Sequence, residues 1–388
     1  MEWVEKKSSE LYVSSSGLSK SSDQFGYGYP FLSYKDVFNN YYAPEKLSTL
    51  VNSTEKDRMK CSVKQGDVFL TRTSETTDEL GMSCVALHDY VNATFNGFTK
   101  RLRPLTDEIE PKYAAYYFRS PYFRSQCISL ASLITRASLN DGMIRRLKIR
   151  YPLNRKVQEK IGGILYTYDS LIENNTKRIR LLEKMAENLY KEWFVRFRFP
   201  GHENVEMENG LPKGWKYVNF SNLSPILTGK KDANYASQNG KYKFFTCSKN
   251  DLVADNYSFD CFAIILAGNG DLNVKLYDGQ FEAYQRTYVL SPYDVEHIYV
   301  SYYTIQSELD RLLVGAAGAV IKFLTKGMIE KIKVLLPTND VLVRFNSIQE
   351  HNYRLRQNLK RQNSLLARQR DLLLPRLMSG KLEVKVKP

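Results

Sequence analysis

The sequence predicts an α+β protein in which two globular α/β domains are separated by two long helices. These helices are expected to pair as an antiparallel coiled coil, and the halves to be an internal duplication with pseudo-twofold symmetry. Three observations lead to this prediction. The chain has 388 residues, enough for two to three domains with their own cores. Two stretches carry apolar residues at alternating steps of four and three, and the segment preceding each stretch is repeated.

The composition divides the chain into four segments. Residues 1–154 and 200–337 are rich in Tyr, Phe, Gly and short β-like runs, which is typical of globular domains. Residues 155–199 and 338–388 are dense in helix formers, with no internal proline before Pro375. We therefore assign the first pair as two globular domains and the second pair as a central and a C-terminal helical region.

Each helical segment has a heptad seam that predicts packing against one other helix. A polar seam residue, Asn175 in the first and Asn352 in the second, tends to fix the register. The alternative is that each helix packs on its own domain. The length of the two seams favours pairing of the helices with each other over this alternative. The predicted helix-pairing residues are Ile161, Leu165, Ile172, Ile179, Leu182 and Leu189, with Phe345, Ile348, Leu355, Leu359, Leu366 and Leu373.

The junctions before the two helices repeat at an offset of 185 residues. The segment 142–152 aligns without gaps on 327–337, with Gly, Met, Ile and Pro identical. Farther upstream, Trp3 at the start of the first globule corresponds to Trp215 at the start of the second. Forty helical residues span about 60 Å at 1.5 Å per residue. A molecule with pseudo-twofold symmetry and helices of that length could hold two DNA-reading domains more than one duplex turn of ~34 Å apart. The alternative is a plain two-domain scaffold.

The charge distribution favours a polyanionic partner. The formal net charge is +14, yet the segment 200–337 has 14 basic and 15 acidic residues, and 338–388 has 11 and 4. No apolar run approaches the roughly 18 residues of a membrane helix. The five cysteines are dispersed without CxxC spacing, which indicates reduced thiols, so we expect a cytoplasmic protein.

The linker and the helix ends resemble specificity (S) subunits of type I restriction-modification systems. The resemblance extends over essentially the whole chain, and its helix-end and Pro-Lys-Gly-Trp segments are specific. Two further segments look like strand-to-loop parts of the family's target recognition domains. The segments that carry the resemblance are 194–202, 210–215, 181–194 and 369–380 for the helices and linker, and 66–73 and 262–270 for the globules.

The resemblance implies a partner set as well as a fold. Each target recognition domain would read one half of a bipartite, asymmetric sequence in double-stranded DNA, and the helices would set the spacer. Two methyltransferase (M) subunits would bind S-adenosylmethionine and methylate adenine N6. Two restriction (R) subunits, using ATP and Mg, would cleave unmethylated DNA. This chain itself would bind no cofactor.

Catalytic motifs are missing from the sequence, which predicts a non-catalytic subunit. There is no Pro-Pro dipeptide and hence no Asn-Pro-Pro-Tyr motif for a flipped adenine. Gly268-Asn269-Gly270 is too short a Gly-rich motif to indicate a dinucleotide site, and no GxxxxGK[ST] loop exists. The four histidines have no metal-ligand spacing.

Base readout needs polar or basic side chains on loops, and each such residue is alternatively a solvated loop charge. The candidates in the first globule are Tyr34, Lys35, Arg72, Thr73, Ser74, Thr99, Lys100, Arg101, Thr135 and Arg136. Those in the second are Lys230, Lys231, Thr246, Ser248, Lys249, Asn269, Tyr284, Gln285 and Arg286.

Two alternatives to the type I specificity subunit remain open at this point. One is the specificity chain of a type IIG-like system, working with a fused nuclease-methyltransferase. The other is an interaction scaffold with no role on DNA, which the duplication and the linker make unfavourable.

Overall fold

The chain folds into two compact units, as a computed structural model describes it for residues 2–130, 132–133, 137–315 and 323–386. Unit 1 comprises Met1–Thr176 and Arg361–Pro388, and unit 2 comprises Lys177–Lys360. Each unit therefore contains one globular domain and part of each long helix. The division of the chain into four segments stays a prediction, because the compact units cut across both helices.

Unit 1 is a mixed α+β globule. Its strands are β1 (Trp3–Lys7), β2 (Tyr12–Ser16), β3 (Phe25–Leu32), β4 (Thr49–Val51), β5 (Val68–Thr71), β6 (Thr73–Ser74), β7 (Ser83–Val85), β8 (Thr94–Phe95), β9 (Thr99–Pro104), β10 (Ser132–Leu133), β11 (Ala137–Ser138) and β12 (Lys148–Pro152). Its helices are α1 (Ser8–Leu11), α2 (Tyr34–Asn39), α3 (Glu55–Lys60), α4 (Pro111–Tyr117), α5 (Pro121–Leu130), α6 (Asp141–Arg146) and the first part of α7 (Arg155–Tyr190).

Two apolar cores stabilise this globule. A four-stranded sheet, in the order β2-β9-β5-β7, packs on the aromatic helix α4, in which Tyr113, Tyr116 and Tyr117 are buried. Proline at the first turn and the Glu110 carboxylate, which accepts from the Tyr113 amide at 2.7 Å, begin that helix. The second core lies around Phe31 and Phe95, beside the three-stranded sheet β4-β3-β8.

Unit 2 is built on one larger sheet. Its strands are β13 (Met207–Glu208), β14 (Leu211–Pro212), β15 (Lys216–Asn219), β16 (Ile226–Thr228), β17 (Tyr242–Phe245), β18 (Leu252–Ala254), β19 (Phe259–Ala267), β20 (Val274–Ala283), β21 (Thr287–Leu290) and β22 (Lys333–Leu336). Its helices are α8 (Ile298–Gly315), α9 (Lys326–Glu330) and most of α10 (Asn339–Met378). Six strands pair in the order β16-β21-β19-β20-β17-β18.

The duplication is visible in strand register. In unit 1, β1 pairs antiparallel with β12, and Val4 lies opposite Tyr151. In unit 2, β15 pairs antiparallel with β22, and Lys216 lies opposite Leu336, which is 185 positions after Tyr151. The preceding short helices are capped alike, because the Asn140 side chain accepts from Met143 N and the Thr325 side chain accepts from Met328 N.

The two long helices pair antiparallel within each unit. In unit 1 the Arg370 guanidinium contacts the Asp169 carboxylate, and the Asn363 amide donates to Thr176 Oγ1 at 3.3 Å. In unit 2 the Asn352 amide donates to the Leu182 carbonyl at 3.1 Å. Partner numbers fall along α10 as they rise along α7, as expected for antiparallel helices.

Most of the predicted seam residues are covered. Ile348 is the exception, because its side chain is 43 % exposed. Its neighbour Gln349 takes the seam position and donates to the Ala186 carbonyl at 3.2 Å. The predicted residues that are buried are Ile161, Leu165, Ile179, Phe345 and Leu359; Ile172, Leu182, Leu189, Leu355, Leu366 and Leu373 are half-buried.

Candidate nucleic-acid interface

The predicted loop residues of unit 2 are brought together at one end of its sheet. The Tyr284 amide donates to the Phe245 carbonyl at 2.9 Å, which joins the β20–β21 turn to the loop that begins at Thr246. The Gln285 amide donates to the Lys231 carbonyl at 2.9 Å. Three loops that are distant in sequence therefore form one surface.

A cleft of about 490 Å³ opens at this surface. Asn269, Gln285 and Arg286, all predicted from the sequence, line it. Gly268 is required beside them, since a Cβ there would lie 2.5 Å from the Arg286 carbonyl oxygen. Sequence reasoning missed the other lining residues, which are Thr228, Gly268, Tyr288, Phe323 and Leu324.

Basic side chains flank the cleft. Lys230 is exposed, and the Lys231 ammonium lies 4.3 Å from the centre of the Tyr235 ring. Ser248 and Lys249 are exposed in the loop after β17. That loop is fixed by Lys275, whose ammonium donates to the Ser248 carbonyl at 2.9 Å.

An acidic group helps to hold the same loop. Burial raises the pKa of Asp251, but hydrogen bonds from Lys243 and Lys275 outweigh that effect and lower it below its usual value. The two ammonium groups lie 2.7 and 2.8 Å from the Asp251 carboxylate. Asp251 therefore stays charged near neutral pH and keeps both lysines in place.

In unit 1 the structure brings part of the predicted set together. The Tyr34 hydroxyl donates to the Thr73 carbonyl at 3.1 Å, and burial raises the pKa of Tyr34 above its usual value. Lys35 is exposed beside it, whereas Ser74 is buried and donates to Glu79 at 3.0 Å. Arg72 is half-buried in the turn that links β5 to β6.

Thr99, Lys100 and Arg101 are buried and do not lie on an exposed loop. They lie in β9 with exposed fractions of 7 % or less. The Lys100 ammonium donates to Asp141 at 2.9 Å and to Ser16 at 2.8 Å, and Arg101 donates to the Ser62 carbonyl at 2.7 Å. The Thr99 hydroxyl, the Lys100 ammonium and one terminal nitrogen of Arg101 already have protein partners, so the burial of this run does not support the prediction that it reads DNA.

The predicted pair Thr135 and Arg136 lies outside the described residues. Within the described ranges, no group of three or more His, Cys, Asp or Glu side chains is arranged to hold a metal ion. In the same part of the chain no helix is long and apolar enough to cross a membrane.

The loop ends of the two units share one backbone hydrogen-bond pattern, which we call the tip framework. Five backbone hydrogen bonds of unit 1 each have a counterpart in unit 2. The matched donor and acceptor pairs are Arg72 N to Phe98 O (3.1 Å) with Gly268 N to Arg286 O (2.9 Å); Leu139 N to Arg72 O (2.8 Å) with Leu324 N to Gly268 O (2.7 Å); Asn96 N to Leu32 O (3.1 Å) with Tyr284 N to Phe245 O (2.9 Å); Gly97 N to Leu18 O (2.9 Å) with Gln285 N to Lys231 O (2.9 Å); and Thr99 N to Asn96 O (3.0 Å) with Thr287 N to Tyr284 O (2.8 Å).

The tip framework shows which loop of unit 1 was missed. Asn96, Gly97 and Phe98 occupy the positions that Tyr284, Gln285 and Arg286 occupy in unit 2. In this part of the chain the sequence prediction selected Thr99, Lys100 and Arg101, which immediately follow the loop, and not the loop itself. Asn96-Gly97 is a common turn dipeptide, so turn chemistry could have identified the loop where charge did not.

Comparisons with known proteins agree with this architecture. Residues 2–184 match the family model described as type I restriction modification DNA specificity domain. The type I restriction enzyme EcoDI specificity subunit of Escherichia coli is 38% identical over 128 residues, which are 33% of this chain and 29% of that protein. The type I restriction enzyme MjaIX specificity subunit of Methanocaldococcus jannaschii is 24% identical across 99% of this chain and 94% of its own.

A solved structure has the same fold. The S subunit of the type I restriction-modification system from M. genitalium matches with a TM-score of 0.59 at 14% sequence identity, covering 100% of this chain and 97% of its own. The resemblance noted in the sequence is thereby confirmed: residues 2–184 match the model of the type I restriction modification DNA specificity domain, and the chain is similar to type I specificity subunits along its length.

Proposed function

We propose that this chain is the DNA specificity subunit of a type I restriction-modification complex. It reads a bipartite, asymmetric target, with one globular domain on each half-site, and performs no catalysis itself. The observation that carries the proposal is the tip framework, which presents different side chains at equivalent backbone positions in the two units. Two copies of one scaffold with different loops suit a target whose halves differ in sequence.

The cleft of unit 2 has the chemistry for base readout. An Arg side chain can bind guanine O6 and N7 together, while Asn and Gln can bind adenine N6 and N7. Arg286, Gln285 and Asn269 converge on the cleft, and the exposed Lys230 and Lys249 lie on neighbouring loops where they would contact phosphates. The formal charge of the segment 200–337 is −1, so the net charge of this domain does not attract DNA. The local cluster of basic side chains around the cleft has to supply that attraction.

The paired helices are proposed to set the spacer between the half-sites. They contain 36 and 40 residues, which correspond to about 54 and 60 Å at 1.5 Å per residue. Side-chain amides from Gln349 and Asn352 donate to backbone carbonyls of the facing helix. Such bonds fix the pairing register, because a shift of one heptad would leave buried amides without partners.

The outer faces of the helices suit the docking of two M subunits. Apolar side chains on these faces are exposed, and the segment 338–388 carries half of the excess positive charge of the chain. The exposed apolar residues are Leu171, Leu365 and Leu372 in unit 1, and Leu181, Met185, Val343 and Ile348 in unit 2. The M subunits would bring S-adenosylmethionine and methylate adenine N6, and two R subunits would bring ATP and Mg to cleave unmethylated DNA.

Reconstitution with M subunits tests this function. We expect methyl transfer from labelled S-adenosylmethionine to host-unmodified DNA to require both the M subunits and this chain. The matched control is the same mixture with DNA already methylated by the complex, which should accept no label. Equal transfer with and without this chain would contradict the proposal.

A further inference from the structure

The two units differ at one exposed position of the tip framework. Phe98 in unit 1 accepts a backbone hydrogen bond from Arg72, as Arg286 in unit 2 does from Gly268. The same backbone position therefore carries a phenyl ring in one domain and a guanidinium in the other. Both side chains are exposed, and Phe98 is 57 % exposed.

The loop that carries Phe98 is held firmly. Asn96 Oδ1 accepts from the Phe98 amide at 2.7 Å, and the Thr99 hydroxyl donates to the Asn96 carbonyl at 2.7 Å. A Cβ at Gly97 would lie 2.2 Å from Ser19 Oγ, so a larger residue there would displace the Ser19 side chain. This ordered loop therefore presents the phenyl ring of Phe98 to solvent and not to the core of the domain.

Two neighbours of Phe98, Arg72 and Thr73, correspond to residues that line the cleft of unit 2. Thr73 is the counterpart of Asn269, because it pairs with Ser138 as Asn269 pairs with Phe323. Phe98 in unit 1 and Phe323 in unit 2 are both exposed. In the major groove the feature that an apolar side chain can distinguish is the C5-methyl group of thymine.

We propose that Phe98 reads a thymine in the first half-site through apolar contact with its C5-methyl group. The two domains then use the same backbone position for different bases, a thymine for Phe98 and a guanine for Arg286. This inference rests on the proposed function, since it requires that the tip framework faces DNA.

Thymine-to-uracil replacement tests the contact, because it removes only the methyl group. In the complete complex with M subunits, each thymine of the first half-site is replaced in turn and DNA affinity is measured. Loss of one buried methyl group weakens binding about fourfold. With the native chain, we expect uracil at one position to weaken DNA binding by this factor. With Phe98→Ala, uracil should weaken binding at no position. With Phe98→Leu, the effect of uracil should persist, because leucine is still apolar.

Arg286→Ala is the matched control, since it should weaken binding through the second half-site and leave the thymine-to-uracil effect in the first half-site unchanged. A first half-site without thymine, or a uracil effect that persists in Phe98→Ala, would overturn the inference while sequence-specific methylation still supports the proposed function. Absence of chain-dependent methylation with the native chain would instead refute the proposed function.

Discussion

Replacement of Arg370 by alanine tests how the long helices are held together in unit 1. Arg370 of α10 contacts the Asp169 carboxylate of α7, and the Tyr116 hydroxyl of α4 donates to the same carboxylate. The two charged side chains are only 15 % and 18 % exposed. Burial lowers the pKa of Arg370, but Asp169 outweighs that effect and raises it above its usual value, so the guanidinium stays charged.

Arg370→Ala leaves the Asp169 carboxylate half-enclosed with its charge uncompensated by Arg370. Removing one partner of a buried ion pair costs about 3–5 kcal/mol. We expect amide hydrogen exchange in peptides from 155–176 and 361–378 to accelerate by more than about a hundredfold, if exchange follows local opening. Peptides from unit 2 serve as an internal reference.

Two further variants give the prediction its control. Arg354 lies on the same helix, is 76 % exposed and pairs with Glu350 one turn earlier, so Arg354→Ala should cost only about 0.3–0.5 kcal/mol. The double variant Asp169→Asn with Arg370→Gln removes both charges and should recover most of the lost stability. Equal exchange rates in Arg370→Ala and Arg354→Ala would refute the reasoning.

Three other outcomes are expected. Arg286→Ala should weaken binding through the second half-site by about 1–3 kcal/mol, measured by fluorescence anisotropy with M subunits present, and an equal loss at both half-sites would contradict the assignment. Lys100→Met should lower the free energy of unfolding by about 0.5–1.5 kcal/mol, because the hydrogen bonds to Ser16 and Asp141 are lost, and should leave the methylated sequence unchanged. A change in the methylated sequence would show that Lys100 does take part in reading DNA. Insertion of seven residues into both α7 and α10 adds about 10 Å of helix, so the methylated target should gain about three base pairs of spacer. An unchanged spacer length would contradict the proposed role of the helices.

The long helices were predictable because their pattern is local. The segments starting at 155 and 338 contain helices that begin at Arg155 and Asn339. The seam of α10 was partly missed, since a pattern of apolar residues selects Ile348. The buried position belongs to Gln349, whose amide is satisfied by a carbonyl 163 residues away.

The candidate interface was less predictable, because burial of polar groups depends on distant partners. Arg101 looked like a loop charge, but the carbonyl of Ser62, 39 residues earlier, makes it a strand interior residue. In unit 2 the corresponding search was more successful, since the turn at Tyr284–Arg286 itself carries the basic side chain. The phenyl ring of Phe98 carries no charge, so a search for basic loops passes over it.

The central claim is that one chain with two different reading domains specifies a divided target, and methylome sequencing tests this most directly. DNA from cells that express this chain with its M subunits should carry N6-methyladenine in two specified half-sites of different sequence, separated by an unspecified spacer of constant length. Exchange of the Tyr284–Arg286 tripeptide for another sequence should alter one half-site and leave the other half-site and the spacer unchanged. A single uninterrupted motif, or methylation without sequence preference, would contradict the account.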